Sequence, residues 1–130
     1  MGKDTVHKFN DEESLSDFIN GSSFVVVNFT SRESIQTNQI NSTFTELSKK
    51  HPYVRFIQLD KDEMSKTFRE WEVSKIPTFM FINTTDETRN HTCMNSDDLI
   101  KEVEAFSEEA SGKDKWSIMK SAGNQYTQLT

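Results

Sequence analysis

Few side chains in this chain of 130 residues can do covalent chemistry. It has one thiol, Cys93, and three imidazoles, His7, His51 and His91. Two hydroxyls, Ser34 and Thr37, bracket Ser34-Ile35-Gln36-Thr37, where an apolar run gives way to a helical pattern. A serine becomes a nucleophile only when a base takes its proton, and no histidine lies near Ser34 in sequence. Each histidine falls at the end of a strand or helix pattern, as an ordinary surface residue. Ser34 therefore reads as a helix N-cap, whose side-chain oxygen satisfies a free N–H and contributes about 1 kcal/mol. A single cysteine cannot close an internal disulfide. It can sense oxidants or join a partner in a mixed disulfide, or serve as a small inert hydrophobe. No metal or cofactor is implied.

Composition narrows the function classes. The chain holds 15 basic and 21 acidic residues, a net charge of −6, which repels phosphate backbones, and there is no basic patch to reverse that. Nucleic acid is excluded as a partner. The N-terminal residues carry no apolar run of signal-peptide length, Val6 stands where myristoylation needs Ser or Thr, and no segment is long enough to span a bilayer, so no membrane role is expected. The lone thiol fits a reducing compartment, hence a cytoplasmic protein. Sequons begin at Asn20, Asn28, Asn41, Asn83 and Asn90, but Asn28 lies inside an apolar run where a glycan has no room, and a chain rich in Asn, Ser and Thr generates sequons by chance.

The elements that must position these residues follow from periodicity. Val6 to Phe9 reads as a short strand, followed by a helix that Asn10 caps and Glu13 closes as a capping box, with Leu15, Phe18 and Ile19 inward. Phe24 to Thr30 is apolar almost throughout, the pattern of a central strand covered on both faces. Ile40, Phe44 and Leu47 line one face of a helix from about Ser34 to Lys50, and His51-Pro52 ends it. Val54 to Leu59 is β-rich, Met64, Phe68 and Trp71 repeat the helical spacing, Pro77 to Ile82 and Glu87 to Thr92 read as strands, and Asn95-Ser96-Asp97-Asp98 opens a last helix with Leu99, Ile100, Val103 and Phe106 inward. One domain over 1–106 is expected, with 107–130 a polar flexible tail or linker. Within it, Trp116, Ile118 and Met119 stand out as residues that could dock on the domain or meet a partner. Periodicity alone gives an α/β fold.

The strand Phe24 to Phe29 running into a helix, followed by Ile76-Pro77-Thr78-Phe79, resembles the thioredoxin family over about residues 5 to 106. The resemblance implies a thioredoxin-like α/β fold, a central mixed five-stranded sheet flanked by four helices. It also implies that Ser34 and Thr37 stand where the family carries Cys-x-x-Cys. Those enzymes hold a thiolate at a helix N-terminus; a hydroxyl there cannot form the mixed disulfide of thiol exchange. The family's buried aspartate and neighbouring lysine correspond to Asn28 and Gln58, amides that can hydrogen-bond to each other but cannot relay a proton. Glu33, after Arg32, replaces the aromatic before the first cysteine, so one groove wall is charged. Pro77 is retained. In the family the bond before it is cis and residue 76 offers its backbone to an extended peptide; alternatively the proline simply turns the chain into a strand. Thr92, Cys93 and Met94 fall in the loop on the far side of that groove.

The segments Gln36 to Asn41, Glu46-Leu47-Ser48-Lys49 and Ile76 to Phe79 are also similar to the thioredoxin-like N-terminal domain of multidomain monothiol glutaredoxins. That domain often lacks a working cysteine pair and binds partners. The chain is then either a domain of a longer protein or a free-standing divergent thioredoxin. The expected function is a redox-inactive module that binds a protein or extended peptide through Glu33, Ser34, Ile35, Ile76, Pro77, Thr92, Cys93 and Met94, without dithiol oxidoreductase activity. Two other readings stand beside it. One is a single-thiol redox protein, linked to glutathione or a partner, that uses Cys93 in cell redox homeostasis. The other is a structural subunit whose contact is the Trp116 segment.

Overall fold

A computed structural model describes residues 5–34, 37–85, 88–91 and 95–122. Strand β1 (Val6–Lys8) leads into helix α1 (Glu12–Asn20), strand β2 (Phe24–Thr30), helix α2 (Asn38–Lys50) and strand β3 (Arg55–Asp60). Helix α3 (Ser65–Glu70), strands β4 (Thr78–Asn83) and β5 (Thr88–His91), and helix α4 (Ser96–Ala122) complete the chain. The five strands form one sheet in the order β1-β3-β2-β4-β5. β3 runs parallel to β1 and β2, whereas β4 is antiparallel to β2 and β5.

All seven residues of β2 are buried, as an apolar run in the middle of a sheet requires. Its alternate side chains feed two cores. Phe24 and Val26 join Phe56, Phe79 and Phe81 under Ile40, Phe44 and Leu47 of α2 and Leu99, Val103 and Phe106 of α4. Val25, Val27 and Phe29 join Ile57, Leu59 and Met80 under Leu15 of α1 and Phe68 of α3. The rings interlock: Phe44 lies 5.2 Å from Phe56 and Phe81 lies 5.1 Å from Phe106, both edge-on, the geometry in which the electropositive edge of one ring meets the face of another.

Three boundaries differ from the sequence reading. The cap of α1 is Asp11, not Asn10: its backbone is extended and its Oδ1 accepts the Ser14 N–H at 2.7 Å. A carboxylate there also meets the positive end of the helix dipole, an advantage that the Asn10 amide lacks. Helix α2 starts at Asn38, four residues after Ser34, with Thr37 in the flanking position and no side-chain cap bond. Ser34 is therefore not the cap of α2.

The third difference is α4, which continues past 106 without a break to Ala122. The flexible tail expected from residue 107 does not begin there. Ser107 is buried and Ala110 packs against the core under α2 and α4, so the inward stripe Leu99, Val103, Phe106 extends by small residues that a search for large apolar ones passes over. Asn95 opens this helix, its Oδ1 accepting the Asp98 N–H at 2.8 Å.

Candidate functional site

The register brings two of the expected segments to one end of the sheet. Phe29 pairs with Thr78 across β2 and β4, so the loop that leaves Thr30 towards Ser34 and the Ile76-Pro77 turn that enters Thr78 flank the same edge. The Ile76–Pro77 peptide bond is cis. Ile76 is half-buried and its side chain packs on the core under α1 and α3. Its own peptide N–H and C=O have no hydrogen-bond partner among the described residues. Ile35, Thr92, Cys93 and Met94 lie outside the described residues.

In the loop after β2, the Ser34 N–H donates to the Ser31 carbonyl at 3.1 Å. The Ser34 carbonyl in turn accepts from Thr37, at 3.3 Å from its N–H and 3.0 Å from its Oγ1. Thr37 is fully buried, at 0% exposure. Its hydroxyl has one proton, committed to this turn, and so serves structure rather than chemistry.

Arg32 makes the wall beside this loop less charged than its sequence suggests. Its backbone N–H donates to Asp60 Oδ1 at 2.8 Å, and its guanidinium reaches Glu63 at 3.0 Å. The β2 loop is thereby tied to the C-terminal end of β3. Glu33 remains exposed, and among the described residues its N–H donates to Ser31 Oγ at 3.3 Å.

Asn28 sits under α2, completely buried. The bond to Gln58 does not form. Although Asn28 and Gln58 are in register on β2 and β3, the Asn28 Nδ2 donates instead to Asn41 Oδ1 of α2 at 2.8 Å. Asn41 Nδ2 continues the chain to Thr30 Oγ1 at 3.3 Å. The reason is direction: side chains on neighbouring strands stand side by side off the sheet, while the helix above presents its amide head-on. Asn28 Oδ1 is left without a partner among the described residues. Sequence reasoning missed Asn41; a polar residue next to the inward-facing Ile40 was the one available sign of it.

A model of the thioredoxin family matches residues 5–105. The chain belongs to the thioredoxin family. A thioredoxin H-type from Picea mariana is 34% identical over 92 residues, covering 71% of this chain and 74% of that protein. Glutaredoxin-3 from Mus musculus is 29% identical over 82 residues, and there the match covers 63% of this chain but only 24% of the relative. Among solved structures, a poplar thioredoxin h mutant superposes with a TM-score of 0.72 at 28% identity, covering 78% of this chain and 81% of that one. The fold is that of the thioredoxin family. With one cysteine in 130 residues, the chain holds no pair of thiols.

Among the described residues, no cluster of three or more His, Cys, Asp and Glu side chains is arranged to hold a metal ion, and no helix is long and apolar enough to cross a membrane. His7 stacks on Phe18 with ring centroids 4.5 Å apart, and His51 follows the last residue of α2, so neither is placed beside Ser34.

Proposed function

We propose that this chain is a redox-inactive thioredoxin-fold module that binds a protein partner as an extended peptide at the edge shared by the Ser34 loop and the Ile76-Pro77 turn. The observation that carries the reading is Ile76, a half-buried residue two positions before β4 whose peptide donor and acceptor are both unused among the described residues. Such a pair can add a peptide strand by main-chain hydrogen bonds. Glu33, Ser34 and Pro77 line the approach, and Ile35, Thr92, Cys93 and Met94, outside the described residues, are the further contacts expected from the sequence. Hydroxyls at Ser34 and Thr37 leave the groove without the sulfur that attacks a disulfide. A reducing, cytoplasmic setting suits a single free thiol. The domain unit extends past residue 106 into α4, whose Ala110 still packs on the core, and the chain is either free-standing or the partner-binding part of a longer protein.

Similarity to glutaredoxin-3 favours one second reading, a single-thiol redox protein. There the Cys93 thiolate would attack a glutathione mixed disulfide, releasing the substrate thiolate and leaving Cys93 joined to glutathione, for a second glutathione to reduce. Turnover on a glutathionylated protein, with glutathione as the reductant, separates the two. The binding module predicts no turnover by the native chain or by Cys93→Ser, and slow turnover by Ser34→Cys/Thr37→Cys, in which the scaffold regains its thiols. Turnover by the native chain that disappears in Cys93→Ser overturns the proposal in favour of the second reading.

A further inference from the structure

Away from the proline turn, a pocket of about 180 Å³ opens at the C-terminal ends of β1, β2 and β3, beneath the first turns of α2. Its floor is polar: Thr30, Asn41 and Gln58 line it, with Asn38 at the entrance to α2. Lys8, Arg32, Asp60 and Glu63 surround the mouth, two cations and two anions, and all but Lys8 are ion-paired or hydrogen-bonded among the described residues, with Arg32 Nε also 4.0 Å from Asp60 Oδ1. Asp60 accepts backbone N–H groups from Arg32, Asp62 and Glu63 at 2.8, 3.0 and 3.3 Å. Arg32 and Glu63 neutralise each other at 3.0 Å. Lys8, at the end of β1 and opposite Gln58 in register, has no ion pair among the described residues. The amides of Gln58 and Asn38 likewise have no hydrogen-bond partner among the described residues.

The groups with unused hydrogen-bonding capacity are thus one ammonium and several amide N–H donors, while the Asp60 oxygens are already occupied by backbone N–H groups. Asn41 adds to them, because its Oδ1 is occupied by Asn28 while its Nδ2 makes only the long 3.3 Å contact to Thr30. Asn38 opens a helix of 13 residues, whose dipole adds positive potential at the same place. Unused donors beside an unpaired cation select an anion, and the spare amide and hydroxyl oxygens accept from a neutral N–H on the same ligand. A volume of about 180 Å³ has room for a small organic acid.

From this we propose that the pocket binds a small carboxylate bearing an amide N–H, with Lys8 paired to the carboxylate and Gln58, Asn38 and Asn41 on its polar remainder. Two sources share that chemistry, a free acylated amino acid and the C-terminal residue of a peptide. The site is independent of the Ile76 edge, so either proposal can fail alone.

The test is a titration of the full chain with N-acetylglycine at constant ionic strength, followed by amide NMR at Lys8 and at the side-chain NH2 groups of Asn38, Asn41 and Gln58. Saturable shifts there, at a Kd of about 1 mM or tighter, that weaken roughly fivefold in Lys8→Met and disappear with the uncharged N-acetylglycinamide are expected. Gln58→Leu serves as a second variant, weakening binding while the thermal melt stays native. A pentapeptide ending in glycine that binds as well as the small acid assigns the site to chain ends; a pentapeptide that fails while the acid binds assigns it to a free ligand. Shifts that do not saturate, or that are equal for the neutral amide or in Lys8→Met, overturn the proposal.

Discussion

The carbonyl oxygen of Asn28 is buried without a donor among the described residues, and leaving such an atom unpaired costs about 1–3 kcal/mol. The same surroundings dictate what a charge would meet there. In Asn28→Asp, burial beneath α2 disfavours the ionised form and raises the folded-state pKa above the ordinary carboxylate value near 3.9. The folded state then holds a proton that the unfolded chain has already released, so the variant loses stability, relative to the native chain, as pH rises above about 4, by about 1.4 kcal/mol for each tenfold by which burial weakens the acid. Chemical denaturation of both proteins at pH 4 and pH 7 reads this directly; equal differences at the two pH values would mean that Asn41 turns to donate and fully compensates the charge. Glu72 is the other residue under local tension. It sits at φ 58 just after α3, where the Val73 N–H bonds back to the Phe68 carbonyl at 2.8 Å, a helix end that glycine usually provides. Glu72→Gly is expected to raise stability by about 0.5–1 kcal/mol in a urea melt, and a loss of stability would show that the Glu72 side chain contributes more than its backbone costs.

Among the elements, α4 decides how far the folded unit reaches. Because Ser107 and Ala110 lie against the core beyond Phe106, truncation after Phe106 removes both packing and the last helical hydrogen bonds that hold Phe106. It should destabilise the protein by about 1–2 kcal/mol relative to truncation after Ser111, on the area scale for apolar burial. Two truncated chains melted side by side settle it; identical midpoints would place the functional end of the helix at 106. Much of this architecture was legible in the sequence, since β2 declared itself by an unbroken apolar run and α2 by Ile40, Phe44 and Leu47. What stayed hidden depended on contacts between distant residues. The hydroxyl of Ser34 looked like a cap because sequence shows no reason for the helix to wait until Asn38, and Asn28 looked like a partner of Gln58 because pairing along the sheet is readable while the overhead reach of Asn41 is not. The extension of α4 was missed for the opposite reason: serine and alanine face inward as well as leucine does where space is short.

For the molecule as a whole, one sheet is shared by two cores, and that arrangement predicts how the fold fails. Val26 and Val27 are neighbours in β2, yet one belongs to the core under α2 and α4 and the other to the core under α1 and α3. Neither core can open without releasing strands that the other needs, so a domain of this size should unfold in one step. Phe44, fully buried between Phe56 and Phe79, and Phe68, edge-on to Phe29 at 5.1 Å, anchor opposite faces. Phe44→Ala and Phe68→Ala should each cost about 3–5 kcal/mol and lower the same transition. The measurement, made in a Trp116→Phe background so that Trp71 is the one tryptophan, is urea unfolding followed at once by the fluorescence of Trp71, which lies on the Phe68 side at 5.7 Å from Phe29, and by far-ultraviolet circular dichroism. Coincident curves in both variants mean that the sheet couples its two faces into one unit. If Phe44→Ala moved the circular dichroism curve and left the fluorescence curve in place, the two faces would be separate units, and a peptide bound at the Ile76 edge would stabilise only the side on which Ile76 packs.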